Sequence, residues 1–353
     1  MEALGIKIQE VTIEAYKENM DDFNVGLFNT WQWISSLTNE YTKDIYFHIL
    51  RNEEVVGKLC GLAINQGKRT GTHLYFNGGP DYKEWSPEVF KSTLLQVRDY
   101  AKSKGYARLH FRPYERKVHD LVEVKGFFHT RVPEYVVYYD EHQDRVKFSY
   151  GFKQNAKKAR KAGAVYHTSK SPEILDKLFA LLDNTRLTRK DKYGKDYDPM
   201  YLLNLDKDAL TKLLDAGIGV MHYAEIDGVI HSVQFNLEYD GKIFGLLMGS
   251  DNEAYSKGIP SFIDMNISDK AMEEKAKYYN IGSVPLDEEG GKGLKKYKES
   301  QSGRETVRYG YYSYFLSYPH NLLNPFIKLS KKLPNNKFLK RIRSFIKFFS
   351  FTK

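Results

Sequence analysis

Asp227-Gly228 and Asp240-Gly241 separate three runs rich in β-branched and aromatic residues, at 219–226, 229–239 and 242–249. An Asp-Gly pair supplies the two left-handed backbone positions of a tight hairpin turn, so the spacing predicts three successive antiparallel strands. Helical candidates lie before them, at 172–187 and around 201–214, and another follows at 259–277, where Phe262, Ile263, Asn266, Ile267 and Lys270 recur at helical spacing. A short strand then ends at Val284, where Pro285 stops it. A strand meander bracketed by helices restricts this half to the α+β class.

The first half presents the same succession. A strand at 6–13 and the apolar-aromatic helical segment FNTWQWISSL precede strands at 45–51 and 55–64, joined by the polar turn Asn52-Glu53-Glu54. A strand at 73–76 ends in Asn77-Gly78-Gly79-Pro80. Ser86 as N-cap and Pro87 in the first turn open a helix with Phe90, Leu94, Val97 and Ala101 on one face, and Gly105 ends it. A strand at 106–112 and a short helix near 119–125 complete the half. At 353 residues the chain can bury two cores. The economical organisation is two copies of one α+β fold, 1–145 and 146–318, followed by a tail at 319–353.

That tail carries the charge imbalance. Residues 321–353 contain nine basic and no acidic residues, which accounts for the whole formal net charge of +9. Within 337–353, Phe338, Leu339, Ile342, Phe345, Ile346 and Phe349 fall on one helical arc and the lysines and arginines on the other, the pattern of a helix lying on an anionic membrane surface. Docking on the body through the aromatic arc and contact with tRNA phosphates are the other uses of such a helix. The start of the chain lacks the basic and apolar regions of a secretory signal, and no run nears the roughly 20 apolar residues of a spanning helix. The expected location is the cytoplasm, peripheral at the inner leaflet. Cys60 is the only cysteine, which rules out an internal disulfide and a thiolate metal cluster. The ten histidines form no two-histidine helical zinc motif and no Gly-x-Ser-x-Gly elbow occurs, so neither a metal nor a serine nucleophile is expected.

Candidate chemistry concentrates in 278–303. After Val284 come an acidic, glycine-rich loop and a lysine-rich segment containing Lys292, Tyr297 and Lys298. A lysine fixed at the end of such a loop offers positive charge to an oxyanion or a substrate phosphate. Asp287, Glu288 and Glu289 suit an acceptor's ammonium or its proton, and equally a solvated loop. Gly290-Gly291-Lys292-Gly293 lacks the ordered Gly-Lys-Ser/Thr of a phosphate loop. Upstream, Lys153, Asn155, Lys157, Lys158, Arg160 and Lys161 crowd one short helix, readable either as a solvated basic face or as an anion site.

In their order and spacing these segments resemble the Fem-type aminoacyltransferases within the N-acetyltransferase (GNAT) superfamily. Trp31 in FNTWQW, the Gly79-Pro80 turn, QNAKKARKAGAV, Tyr279-Asn280-Ile281-Gly282, and Tyr297-Lys298 ahead of Gly303 are similar to that family's motifs in turn. The resemblance implies two tandem GNAT-like domains and transfer of an aminoacyl group from aminoacyl-tRNA to an amine of a peptidoglycan precursor, with no tightly bound cofactor. It implies a catalytic role for Lys298. It also implies substrate contacts at Tyr297, Lys292, Gly79, Pro80, Lys153, Asn155, Lys157, Arg160 and Asn280. Asn280 departs from the family's usual aspartate. Acyl-CoA is the alternative donor, for an N-acyltransferase acting on an amino sugar. The segment SDNEAYSKGIPSF, with one glycine and a proline, is a poor pyrophosphate loop. A non-catalytic module binding RNA or lipid is the reading from outside enzymes.

Overall fold

A computed structural model of the chain describes residues 5–67, 69–114, 120–193, 200–284 and 291–332. It divides into two compact units, Met1–Val132 with Arg308–Lys353, and Pro133–Val307.

In the first unit β1 (Ile6–Val11), α1 (Ile13–Lys17) and α2 (Trp31–Ser36) lead into β2 (Thr42–Arg51), β3 (Glu54–Asn65), β4 (Thr72–Phe76) and the short β5 (Asp81–Tyr82). Then come α3 (Pro87–Ser103), β6 (Arg108–Phe111) and the start of β7 (Phe127–Tyr138). The strands run β1-β2-β3-β4-β6, antiparallel except that β6 lies parallel to β4, with β5 set beside β3. Leu74, Phe76, Leu109 and Phe111 point to one face and bury Val89, Leu94, Val97 and Ala101 of α3. This helix starts where its sequence says it should. Ser86 Oγ accepts the Val89 N–H at 3.2 Å and Pro87 occupies the first turn, where its missing N–H costs nothing.

The second unit has α4 (Tyr150–Lys161), β8 (Val165–Ser169), α5 (Pro172–Tyr193), α6 (Lys207–Asp215), β9 (Gly219–Ile226), β10 (Val229–Tyr239) and β11 (Lys242–Ser250). These are followed by α7 (Asn252–Lys257), α8 (Ile259–Glu273), β12 (Tyr278–Ser283), α9 (Gly291–Ser300) and the start of β13 (Arg304–Ser313). Its strand order is β8-β9-β10-β11-β12-β7, again antiparallel apart from one parallel pair, here β11 with β12. Both Asp-Gly pairs form the expected turns, with φ of 51° and 77° at 227–228 and 49° and 69° at 240–241. Each unit, taken by itself, thus has the same α+β succession: a strand, helices, three antiparallel strands, a helix, and a strand parallel to the one before that helix. At the end of the chain, β13 runs into α10 (Asn324–Lys332).

Two expectations change. Residues 120–125 are not helical; the Val122 N–H bonds the Tyr311 hydroxyl at 3.2 Å, so a tertiary partner takes an amide that a helix would have used. No helix begins at 201: Asp206 caps α6 through the Ala209 N–H at 2.8 Å, and Tyr201–Leu205 precede it as irregular chain. Gly291, Lys292 and Gly293 form the first turn of α9, consistent with the missing Gly-Lys-Ser/Thr order of a phosphate loop. The carboxylates at 287–289 and the amphipathic segment 337–353 lie outside the described residues.

Candidate active site

The parallel pair β11–β12 holds together only over Lys242–Phe244 and Tyr278–Asn280. Past that point β11 continues to Ser250 beside β10, while β12 bends toward β7, where Ser283 stands opposite Glu134. Gly282, with φ of 80°, makes the bend in a left-handed conformation that only glycine adopts without strain. The two strands therefore fork, and past Asn280 the backbone carbonyls of β12 have no pairing to β11.

Lys298 meets those carbonyls. Its Nζ donates to Ser283 O at 3.0 Å and to Ile281 O, and the side chain is 7% exposed. Burial pulls its pKa down to about 8, against the opposing charges of Glu134 and Asp264. An ammonium has three N–H donors and two are engaged among the described residues, so a third can serve a ligand at the fork. A Cβ at Gly282 would lie in ordinary contact with Nζ at 3.5 Å, so it is the backbone angle that calls for glycine here.

Asn280, at the last paired position, is fully buried. It accepts the Gly282 N–H at 2.8 Å and donates from Nδ2 to Glu134 Oε2 at 3.1 Å. The carboxylate that Asn280 lacks is thus supplied to the same spot by Glu134 from β7, 146 residues away in sequence. The amide is the right partner for it, because a second carboxylate would oppose Glu134 directly.

Tyr297 donates to Asp264 Oδ2 at 2.8 Å, and Tyr279 donates to Oδ1 at 3.4 Å. Burial pushes the Asp264 carboxyl up to about 6, while hydrogen bonds from Tyr297, Tyr279, Gln234 and Gln301 pull the other way. Burial and then the nearby Asp264 charge hold both tyrosines well above the usual phenol range.

The structure thus brings Tyr297, Lys298 and Asn280 into one cluster. Lys292 is exposed on the first turn of α9. Phe152 of α4 packs on Tyr297 with ring centroids 5.7 Å apart, and Arg160 lies 6.0 Å from the Phe262 ring. Lys153, Asn155, Lys157 and Arg160 are themselves exposed. Gly79 and Pro80 belong to the first unit, buried in the turn after β4. There a Cβ at Gly78 would come within 2.8 Å of Asn29 Cβ, so that turn packs on the segment that carries Trp31. Nothing in the sequence singles out Glu134, Asp264, Gln234 or Gln301. Each lies in an unremarkable strand, helix or helix end and reaches the cluster only through tertiary contact.

The residues do not fit an acyl-CoA pyrophosphate cradle at the start of α8. Ile259, Pro260 and Ser261 are buried, Pro260 has no N–H, and a Cβ at Gly258 would sit 2.4 Å from the Asn155 carbonyl oxygen. The first turn of α8 is covered by α4, so its amides do not face an anion. Among the described residues no group of acidic, histidine or cysteine side chains could hold a metal, and no helix is long and apolar enough to cross a membrane.

Comparison with known proteins agrees with this geometry. The acetyltransferase (GNAT) domain family matches residues 146–299. No curated protein matches the chain by sequence. Among solved structures, FemX is similar at 14% identity with a TM-score of 0.68, covering 92% of this chain and 99% of its own. L-PGS from Bacillus licheniformis is similar at 18% identity and a TM-score of 0.57, covering 93% and 99%. A tandem GNAT protein from the clavulanic acid biosynthesis pathway is similar at 9% identity and a TM-score of 0.52, covering 88% and 99%. At such identities the likeness is one of fold. Residues 146–299 match the acetyltransferase (GNAT) domain family, and the chain as a whole has the fold seen in FemX.

Proposed function

We propose that the protein transfers an aminoacyl group from aminoacyl-tRNA to an amine of a cell-wall precursor, with the reaction at the fork of β11 and β12. The observation that carries this reading is Lys298, buried where the two strands part and with one N–H unused among the described residues. The acceptor's neutral amine attacks the ester carbonyl, a C–N bond forms, and the tetrahedral oxyanion takes the free N–H of Lys298. The C–O bond to the tRNA ribose then breaks, and the proton lost by the nitrogen leaves with the ribose oxygen. Lys298→Met is expected to lower turnover about a hundredfold, the cost of removing one oxyanion donor, with little change in KM. Turnover within a few-fold of wild type would remove Lys298 from the chemistry.

Two features support tRNA over acyl-CoA as donor: the covered start of α8, and the exposed run of Lys153, Lys157, Lys158, Arg160 and Lys161 on α4, suited to a phosphate backbone. The basic segment 337–353 would hold the enzyme against anionic lipid where a lipid-linked precursor is presented. A chain truncated after residue 336 should lose flotation with anionic liposomes, and undiminished flotation would exclude the segment.

A further inference from the structure

Behind Lys298 three hydrogen-bonding atoms stand open. Gln234 Oε1, Asn236 Nδ2 and Gln301 Oε1 have no partner among the described residues, and their residues are 4%, 0% and 2% exposed. A buried hydrogen-bonding atom left unmet is costly, so three in one cluster call for an occupant. They do form one cluster. Gln234 Nε2 donates to Asn236 Oδ1 at 3.0 Å and to the Tyr279 hydroxyl, Tyr279 donates to Asp264 Oδ1 at 3.4 Å, and Gln301 lies near enough to Asp264 to favour its charged form.

The open atoms are therefore two acceptors and one donor, set around a buried carboxylate. A primary ammonium brings three donors and a positive charge, and a carbonyl one bond further on brings an acceptor for Asn236 Nδ2. An α-aminoacyl group has this combination. A plain acyl group offers an acceptor alone and would leave both amide oxygens unmet. The cluster also has an approach. Gly245 stands one residue past the last β11–β12 pair and is partly exposed, and a Cβ there would lie 3.3 Å from the Tyr279 hydroxyl and 3.6 Å from Gln234 Nε2. A glycine at this position leaves the fork open toward the amides.

We propose that Gln234, Asn236, Gln301 and Asp264 form a subsite that reads the free α-ammonium of the donor's aminoacyl group. The proposal rests on transfer at the fork, but its binding step can be measured without turnover. Full-length protein is titrated with L-alanine methyl ester and, separately, with N-acetyl-L-alanine methyl ester, and binding is followed by saturation-transfer NMR. The free amine should bind about tenfold more tightly, as expected for one buried hydrogen-bonded group met or unmet. Gly245→Ala and Gln301→Leu, each checked for native near-UV circular dichroism, should erase that preference. Equal binding of the two esters by wild type overturns the subsite, and so does no binding of the free amine, which would leave the cluster to buried water. This comparison needs no variant, so a variant that fails to fold does not blunt the test. Ester discrimination without any transfer from charged tRNA would uphold the subsite and sink the proposed reaction. Lys298-dependent transfer without discrimination would do the reverse.

Discussion

At the scale of single residues, the site is a set of polar groups whose burial is tolerable only because each has a specific neighbour. Asn280→Asp tests this directly. It sets a second carboxylate against Glu134 in place of a 3.1 Å hydrogen bond, and should cost about 3 kcal/mol in urea unfolding. The double variant Glu134→Gln with Asn280→Asp lets the new amide donate to the new carboxylate and should recover most of that loss. A double-mutant cycle with no coupling would mean the pair does not interact. Asp264 makes a different prediction. Its carboxyl titrates at about 6 in the fold against an ordinary 3.8, so the folded chain holds the proton more tightly. Stability contributed by the protonated form is lost as pH rises from about 4 to about 6, up to about 3 kcal/mol for a shift of roughly two units. Asp264→Asn should lack this decline, gaining about 2–3 kcal/mol on wild type between pH 4 and pH 7 in chemical denaturation. A constant difference across that range would contradict the assigned burial.

At the scale of elements, what the sequence reveals is local. The two Asp-Gly turns and Ser86-Pro87 at the start of α3 are each decided within four residues, by φ or by a capping oxygen. The segment at 120–125 fails as a helix because Tyr311, far along the chain, takes its Val122 amide. The site divides in the same way. Tyr297 and Lys298 stand out because they are adjacent in α9, whereas Glu134 and Asp264 meet them only once β7 and α8 are in place. The basic face of α4 is an element-level feature with an element-level test. If α4 carries tRNA phosphates, Lys153→Gln with Lys157→Gln should weaken binding of charged tRNA and reduce the slope of log affinity against log salt by about 1–2. An unchanged slope would make the face a solvated surface.

At the scale of the whole molecule, the same α+β succession occurs in each unit, yet the chemistry argued here belongs to the second. It is in that unit that a strand fork, a buried lysine and an unfilled amide cluster occur together. The first unit has its own parallel pair, β4 with β6, but the turn after β4 is packed against Asn29. One measurement bears most directly on the assignment. Full-length protein is incubated with tRNA charged with radiolabelled amino acids and an extract of lipid-linked and soluble cell-wall precursors, and label in alkali-stable amide linkage is followed with time. Wild type should move label from tRNA into such a product, and folded Lys298→Met should do so about a hundredfold more slowly. Label that stays on tRNA with wild type, or moves equally fast with Lys298→Met, would contradict an aminoacyl transfer centred on Lys298.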